Sequence, residues 1–352
     1  MRILKDKIKF QAMPEQTQLA QLLTIQQAGQ IAEAYVSQNV FQSAMACLSE
    51  NTIKSLRTGA DIWCRFLAAI GVDVGGYDCT SDPRAWASVN YALIDTFIQW
   101  MLNRGYAINT VNRRLSSIRW FCGLATKAGF IPADEMVKIG GLKMIRYGQG
   151  LEIDKKRQTS RVGKKKRDST KLSAYHVAKL KSLGSNDQRS IRDRLLMCLC
   201  LDHAMRASEL VCLEVEDFDL VKGTVHFWRP KIKKFHTHKL TKSALAAVGD
   251  YLALDGSPQS GRLFREIHRS GSFVGDGMTT AAIDGIIRAH GRSLGVDSLS
   301  AHDLRHNAAS RAASGGTNLR SLMGLGGWNS AGTAERYLDE LTIHNEGVQG
   351  ID

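Results

Sequence analysis

The chain is 352 residues long, room for about two domains of ordinary size, and its 47 basic against 34 acidic side chains leave a net charge of +13. An apolar content of 43% with only 5 prolines excludes a disordered or collagen-like chain, and the longest apolar run, Leu195 to Leu201, falls far short of the roughly 18 residues of a membrane helix. Seven cysteines without a C-x-x-C pair or zinc spacing argue against a disulfide scaffold and a bound metal; a reducing cytoplasm fits best, and nucleic acid is the first candidate partner for so basic a chain.

Met1 to Phe10 alternates lysine with apolar residues and shows no signal-peptide core. Residues 17–48 read as helical, so 1–48 is expected to be an N-terminal helical extension. From Ile53 the apolar residues Ile53, Leu56, Ala60, Trp63, Leu67 and Ile70 step by three and four, which marks one helical face. A second helix carries Leu93, Ile94, Phe97, Ile98, Met101 and Leu102 and is closed by Arg104-Gly105. A third starts at Asn109, with Val111, Leu115, Ile118 and Cys122 on one side and Thr110, Arg113, Arg114 and Ser117 on the other. Short polar and guanidinium groups on one face suit phosphates and base edges in a major groove, although an ordinary solvated face explains them as well.

Charge is distributed unevenly. Residues 1–154 carry net +3, residues 172–352 net +2, and the seventeen residues 155–171 (KKRQTSRVGKKKRDSTK) net +8. That stretch holds one sizeable apolar side chain, Val162, and cannot bury a core face. It reads as a basic linker, with Lys164, Lys165, Lys166 and Arg167 as candidate phosphate contacts and a solvated loop as the alternative.

Beyond the linker, Ser173 can cap a helix over 174–183, and a buried helix passes through Leu195 to Leu201. His203-Ala204-Met205-Arg206-Ala207-Ser208-Glu209-Leu210 follows. Thr224 to Trp228 and Phe235 to Leu240 read as two strands joined through Pro230, Lys231, Lys233 and Lys234, and proline at a strand end favours an edge hairpin. Ser300-Ala301-His302-Asp303 is a capping box opening a helix that contains His302-Asp303-Leu304-Arg305-His306 and ends at Gly315-Gly316. Gly326-Gly327-Trp328 then leads into a short helix bearing Tyr337. A single H-x-x-R means little, because the composition gives roughly 0.7 by chance.

The order and spacing mean more. Arg206 in A-M-R-x-S-E-L, a lysine hairpin near 231, H-x-L-R-H at 302–306, then Trp328 23 residues and Tyr337 32 residues after Arg305, together resemble the tyrosine recombinase (phage integrase) family. The Gly-Gly-Trp element resembles its Cre-like subgroup. The resemblance covers 172–340 at motif level and 50–148 more loosely. It implies a mainly α fold with a small antiparallel β-sheet in the catalytic domain and a two-domain clamp: a helical core-binding domain (49–154), the linker (155–171) and a catalytic domain (172–352). It implies double-stranded DNA at a recombination site as partner, a homo-oligomer acting as a tetramer on two synapsed sites, a nucleoid-associated location, and no cofactor, metal ion or membrane.

By the same resemblance Tyr337 is the nucleophile that forms a 3′-phosphotyrosyl intermediate. Arg206 and Arg305 clamp the non-bridging phosphate oxygens, which planar, permanently charged guanidinium groups do well. Glu209, one helical turn after Arg206, buttresses it or a nearby residue of the site. His302 accepts the phenolic proton, and Lys231 protonates the leaving 5′-oxygen, with Lys233 and Lys234 as competitors for that role. Trp328 replaces the second histidine of much of the family; its indole can donate a hydrogen bond but cannot relay a proton. Ala204-Met205 departs from the commoner Gly-Leu and reads as a volume-tolerant change. A type IB topoisomerase, with a similar residue set, and a non-catalytic DNA-binding protein are the competing readings.

Overall fold

In the computed structural model, which describes residues 25–159, 169–184 and 187–339, the chain divides into two compact units, Met1–Lys165 and Lys166–Asp352. The first is helical throughout its described residues: α1 (Ile25–Ala46), α2 (Glu50–Ala69), a 3-10 turn (Pro83–Trp86), α3 (Tyr91–Asn103), α4 (Ile108–Lys127), α5 (Ala133–Gly141) and α6 (Tyr147–Lys156). The three periodic stretches of the sequence are α2, α3 and α4. Ser49 caps α2 by accepting the Thr52 N–H at 3.3 Å, and Asn90 caps α3 by accepting that of Leu93 at 2.9 Å. Both helices lay their apolar stripe on an aromatic ladder in which Trp63 stacks on Trp86 at 5.6 Å and Trp86 on Phe121 at 5.0 Å. Burying each such ring contributes roughly 1.5–3 kcal/mol.

Two boundaries differ from expectation. Phe41 of α1 is buried and stacks on Phe121 at 5.6 Å, so the second half of α1 belongs to this core, and a division at residue 48 does not separate it. The linker does not begin at 155 either: α6 runs to Lys156, and Arg157 donates to the carbonyls of Leu102 and Tyr106 at 3.2 and 2.9 Å. These groups are tied down because α6 supplies carboxylates one turn away, Glu152 for Lys155 and Asp154 for Arg157. Lys164, Lys165, Lys166 and Arg167 lie outside the described residues.

The second unit is built around α8 (Gln188–His203). Its Leu195–Leu201 run is apolar on every side and is buried on every side, packed by α7 (Ala174–Lys181), α10 (Lys242–Leu252) and α12 (Ala301–Ser314). After α8 come α9 (Ala207–Leu210), a 3-10 turn (Val215–Asp217), and a three-stranded antiparallel sheet of β1 (Phe218–Asp219), β2 (Thr224–Arg229) and β3 (Lys234–Lys239) in that spatial order. A short pair, β4 (Glu266–Ile267) and β5 (Phe273–Val274), precedes α11 (Thr280–Ser293); α13 (Leu319–Gly326) and α14 (Ala331–Asp339) follow α12. The fold is thus mainly α with small antiparallel sheets. The capping box at Ser300 and Asp303 starts α12, which ends at Gly315. Ala309, Ala313, Leu322, Ala334 and Tyr337 form a second, smaller apolar cluster that seats α14 on α12 and α13. Among the described residues no helix is long and apolar enough to cross a membrane.

Candidate active site

The turn from α8 into α9 sets the first arginine. α8 stops at Ala204, whose φ of +50° is left-handed, a conformation that costs a side-chain-bearing residue roughly 1–2 kcal/mol and glycine little. The replacement of the commoner glycine is therefore tolerated in volume but strained in backbone. The carbonyl of Ala204 accepts a hydrogen bond from Arg305 Nη1 at 2.5 Å, so the strained residue holds the second arginine. Arg206 caps α9; its Nη1 donates to Glu209 Oε1 at 2.5 Å and its backbone N–H to Glu209 Oε2 at 3.0 Å. Glu209 is 1% exposed.

A third guanidinium shares that carboxylate. Arg229, the last residue of β2 and 0% exposed, donates from Nη1 to Glu209 at 3.2 Å and from Nη2 to the Leu325 carbonyl at 2.8 Å. Its Nη2 also lies 3.2 Å from His238 Nε2. Burial pulls the Arg229 guanidinium below its usual range, partly offset by Glu209. Burial, then the charge of Arg229, pushes His238 down to about 3, so it stays neutral and serves as an acceptor. Arg305 is pulled down to about 10, first by burial and then by the charge of Arg206. It remains charged at neutral pH, and two neighbouring cations in a partly dry setting favour an anion between them.

Gly326-Gly327-Trp328 brings the rest together. The Gly326 carbonyl accepts from Arg305 Nη2 and, at 3.4 Å, from Arg206 Nη2, so both arginines converge on one oxygen. A Cβ on Gly326 would lie 2.5 Å from the Trp328 ring, and one on Gly327, which closes α13 at φ +57°, would lie 2.7 Å from Arg229. Glycine at both positions is thus a condition for seating the indole and the buried arginine. Trp328 stacks on Tyr337 with ring centroids 5.2 Å apart, and Arg305 lies over the indole at 5.1 Å. Tyr337 Oη is 2.9 Å from His306 Nδ1, and His306 Nε2 is 3.0 Å from His302 Nε2.

Arg206, Glu209, Arg305, Trp328 and Tyr337 therefore meet at one place, with His302 reached through His306. Lys231 stands apart. The register pairs Arg229 with Lys234, which leaves Lys231 and Lys233 exposed in the 230–233 turn and places Lys234 on the same sheet face as Arg229. On α4 the expected polar stripe is only partly on the surface. Arg113 is exposed and Thr110 half-buried, but Arg114 and Ser117 are buried against α2. Arg114 Nη1 donates to the Ser55 carbonyl at 2.9 Å, and Ser117 fills the space left by Gly59. The close α2–α4 approach turns these two inward, and the exposed line is Asn109, Arg113 and Ser116.

Two residues of the site carry no expectation from the sequence. His306 stands four residues after His302 and so on the same face of α12, a spacing that is there to be read. Arg229 occupies the inward alternation Val225, Phe227, Arg229 of β2, where a charge is out of place unless it is paired.

Residues 172–343 match the model of the phage integrase family. The chain is 28% identical over 299 residues to a protein named tyrosine recombinase XerC from Roseiflexus sp. (strain RS-1), covering 82% of this chain and 83% of that one. Its fold is similar to that of the Tn1549 transposon integrase solved with a circular intermediate DNA (TM-score 0.60, 14% identity, 89% and 98% of the two chains). It is also similar to a lambda integrase dimer bound to a COC′ core site (TM-score 0.59, 13% identity, 88% and 96%).

Proposed function

We propose that this chain, which belongs to the tyrosine recombinase (phage integrase) family and is a tyrosine site-specific recombinase, cuts and rejoins double-stranded DNA through a covalent 3′-phosphotyrosyl intermediate. The observation that carries this reading is the convergence of Arg206 and Arg305 on the Gly326 carbonyl beside the Tyr337 ring. A scissile phosphate in that position replaces a neutral carbonyl with a charged acceptor. The guanidinium groups then stabilise the extra negative charge of the five-coordinate phosphorus. Glu209 and Arg229 fix Arg206 before substrate arrives, so little reorganisation is left for the reaction itself.

Tyr337 Oη attacks phosphorus, the bond to the 5′-oxygen breaks, and that oxygen leaves as a hydroxyl with a proton from Lys231 or one of its hairpin neighbours Lys233 and Lys234. His302 is the sink for the phenolic proton, since a phenol near pKa 10 needs a base at neutral pH. Trp328 supports the ring of the nucleophile and offers an N–H to a phosphate oxygen. One phosphodiester is exchanged for another, so the bond energy is kept and no ATP is required. Two synapsed sites held by four copies of the chain complete the exchange, with Arg113 and the basic linker on the DNA backbone.

The test starts with selection of bound duplexes from a random library, which lets the protein itself pick out its target sequence. A selected duplex with a nick beside the scissile phosphate should trap a covalent protein–DNA band that Tyr337→Phe loses while still binding. No covalent species on a duplex proven to bind overturns the reading. Exchange between two sites, as opposed to relaxation of a plasmid carrying one, separates recombination from topoisomerase action.

A further inference from the structure

We infer that His306 is the immediate acceptor of the Tyr337 proton and passes it to His302, so that the nucleophile is activated through two histidines in series. This rests on the recombinase reading above and adds a catalytic residue to it. The distances place His306 between the other two: 2.9 Å from Tyr337 Oη to His306 Nδ1, then 3.0 Å from His306 Nε2 to His302 Nε2. The two imidazoles lie edge to face, 4.4 Å between centroids, because residues four apart share one face of α12. Exposure rises along the line, from buried Tyr337 through half-buried His306 to exposed His302, so the proton moves from a dry site toward water.

The chemistry closes. When Tyr337 donates to His306 Nδ1, a neutral His306 carries its own hydrogen on Nε2 and donates it to His302 Nε2, which fixes His302 as the Nδ1–H tautomer. As Oη bonds to phosphorus, its proton goes to His306 Nδ1 and the Nε2 proton of His306 goes to His302. His306 ends neutral and His302 ends as imidazolium. Carrying the charge on to exposed His302 places it where water can solvate it, whereas half-buried His306 ends the step uncharged. Arg305 at the same time stabilises the phenolate. Trp328, stacked on the tyrosine ring, has no lone pair to offer the proton.

His306→Asn separates proton transfer from positioning, because its amide oxygen can accept the tyrosine hydrogen bond but cannot keep the proton. With the selected nicked duplex as probe, covalent adduct formation should slow by about 10²–10⁴-fold while circular dichroism and duplex affinity stay at wild-type values. Replacing Tyr337 by a fluorinated tyrosine, whose phenol is already ionised near neutral pH, should abolish the difference between the wild-type chain and the His306→Asn variant, which a purely structural role would not do. Adduct formation by His306→Asn at the wild-type rate, or a deficit that persists with the fluorinated nucleophile, overturns the inference. If His306→Asn fails to fold, His306→Gln is read in the same two arms. A wild-type chain that forms no adduct overturns the recombinase reading and this one with it.

Discussion

Glu209 accepts from Arg206 and Arg229 while almost wholly removed from water, so one carboxylate offsets two guanidinium charges. The two pairs are not equivalent. Arg229 and Glu209 both have fully buried side chains, whereas that of Arg206 is 19% exposed. Glu209→Leu strands Arg229 with only neutral acceptors and sets it against Arg206, and should cost about 3–5 kcal/mol, the range for breaking a buried pair from one side. Arg229→Leu leaves Glu209 still paired with Arg206 and replaces a buried cation by an apolar group, so it should cost clearly less. Urea denaturation midpoints of the two variants check the order, and equal losses would show that Glu209 is not the shared hub. The Arg206–Glu209 half of this arrangement is legible in sequence, since three residues make one helical turn. The Arg229 half joins residues twenty apart through the sheet, and neither composition nor helical spacing reports such a contact.

At the scale of elements, α12, α13 and α14 make a small cluster, and Gly326 is where they meet the arginines. Its carbonyl holds Arg206 and Arg305, and its missing Cβ leaves room for the Trp328 ring. Gly326→Ala weighs two effects against each other. Alanine is better than glycine inside a helix by up to about 1 kcal/mol, whereas overpacking against an indole costs about 1–3 kcal/mol. Stability should therefore change little, but the ring must move off Tyr337 and the carbonyl with it. Adduct formation on the selected nicked duplex should fall at least about tenfold, which is about 1.4 kcal/mol of barrier, while the thermal midpoint moves by only a few degrees. Unchanged cleavage would mean that the glycine serves the helix end alone. Periodicity makes α2, α3 and α4 readable, and the capping box does the same for α12, because both are local signals. The difference on α4 has a non-local cause: Gly59 on another helix lets Ser117 and Arg114 turn inward, and no pattern within α4 announces that.

Across the whole molecule the excess charge is concentrated, in sequence, between the two units. Net +3 and +2 on the flanking segments are small against +8 in residues 155–171. Within that stretch Lys155 and Arg157 pair with Glu152 and Asp154 of α6, and in sequence the densest run of positive charge is Lys164–Arg167. If it grips the DNA backbone, each phosphate contact releases about 0.9 counterion and steepens the fall of log K with log salt by that amount. Replacing Lys164, Lys165, Lys166 and Arg167 together by glutamine should flatten the slope by up to about 3.6, four contacts at about 0.9 each. Arg113→Ala, which removes one of the exposed cations of α4, should flatten it by about one contact's worth. Because such contacts carry no sequence information, the linker variant should weaken binding to selected and unrelated duplexes alike and leave the rate of adduct formation at saturating protein unchanged. The slope is measured by titrating a labelled selected duplex at several salt concentrations. A linker variant with the wild-type slope would show that the +8 segment is solvated charge, and that the grip on DNA comes from the folded units alone.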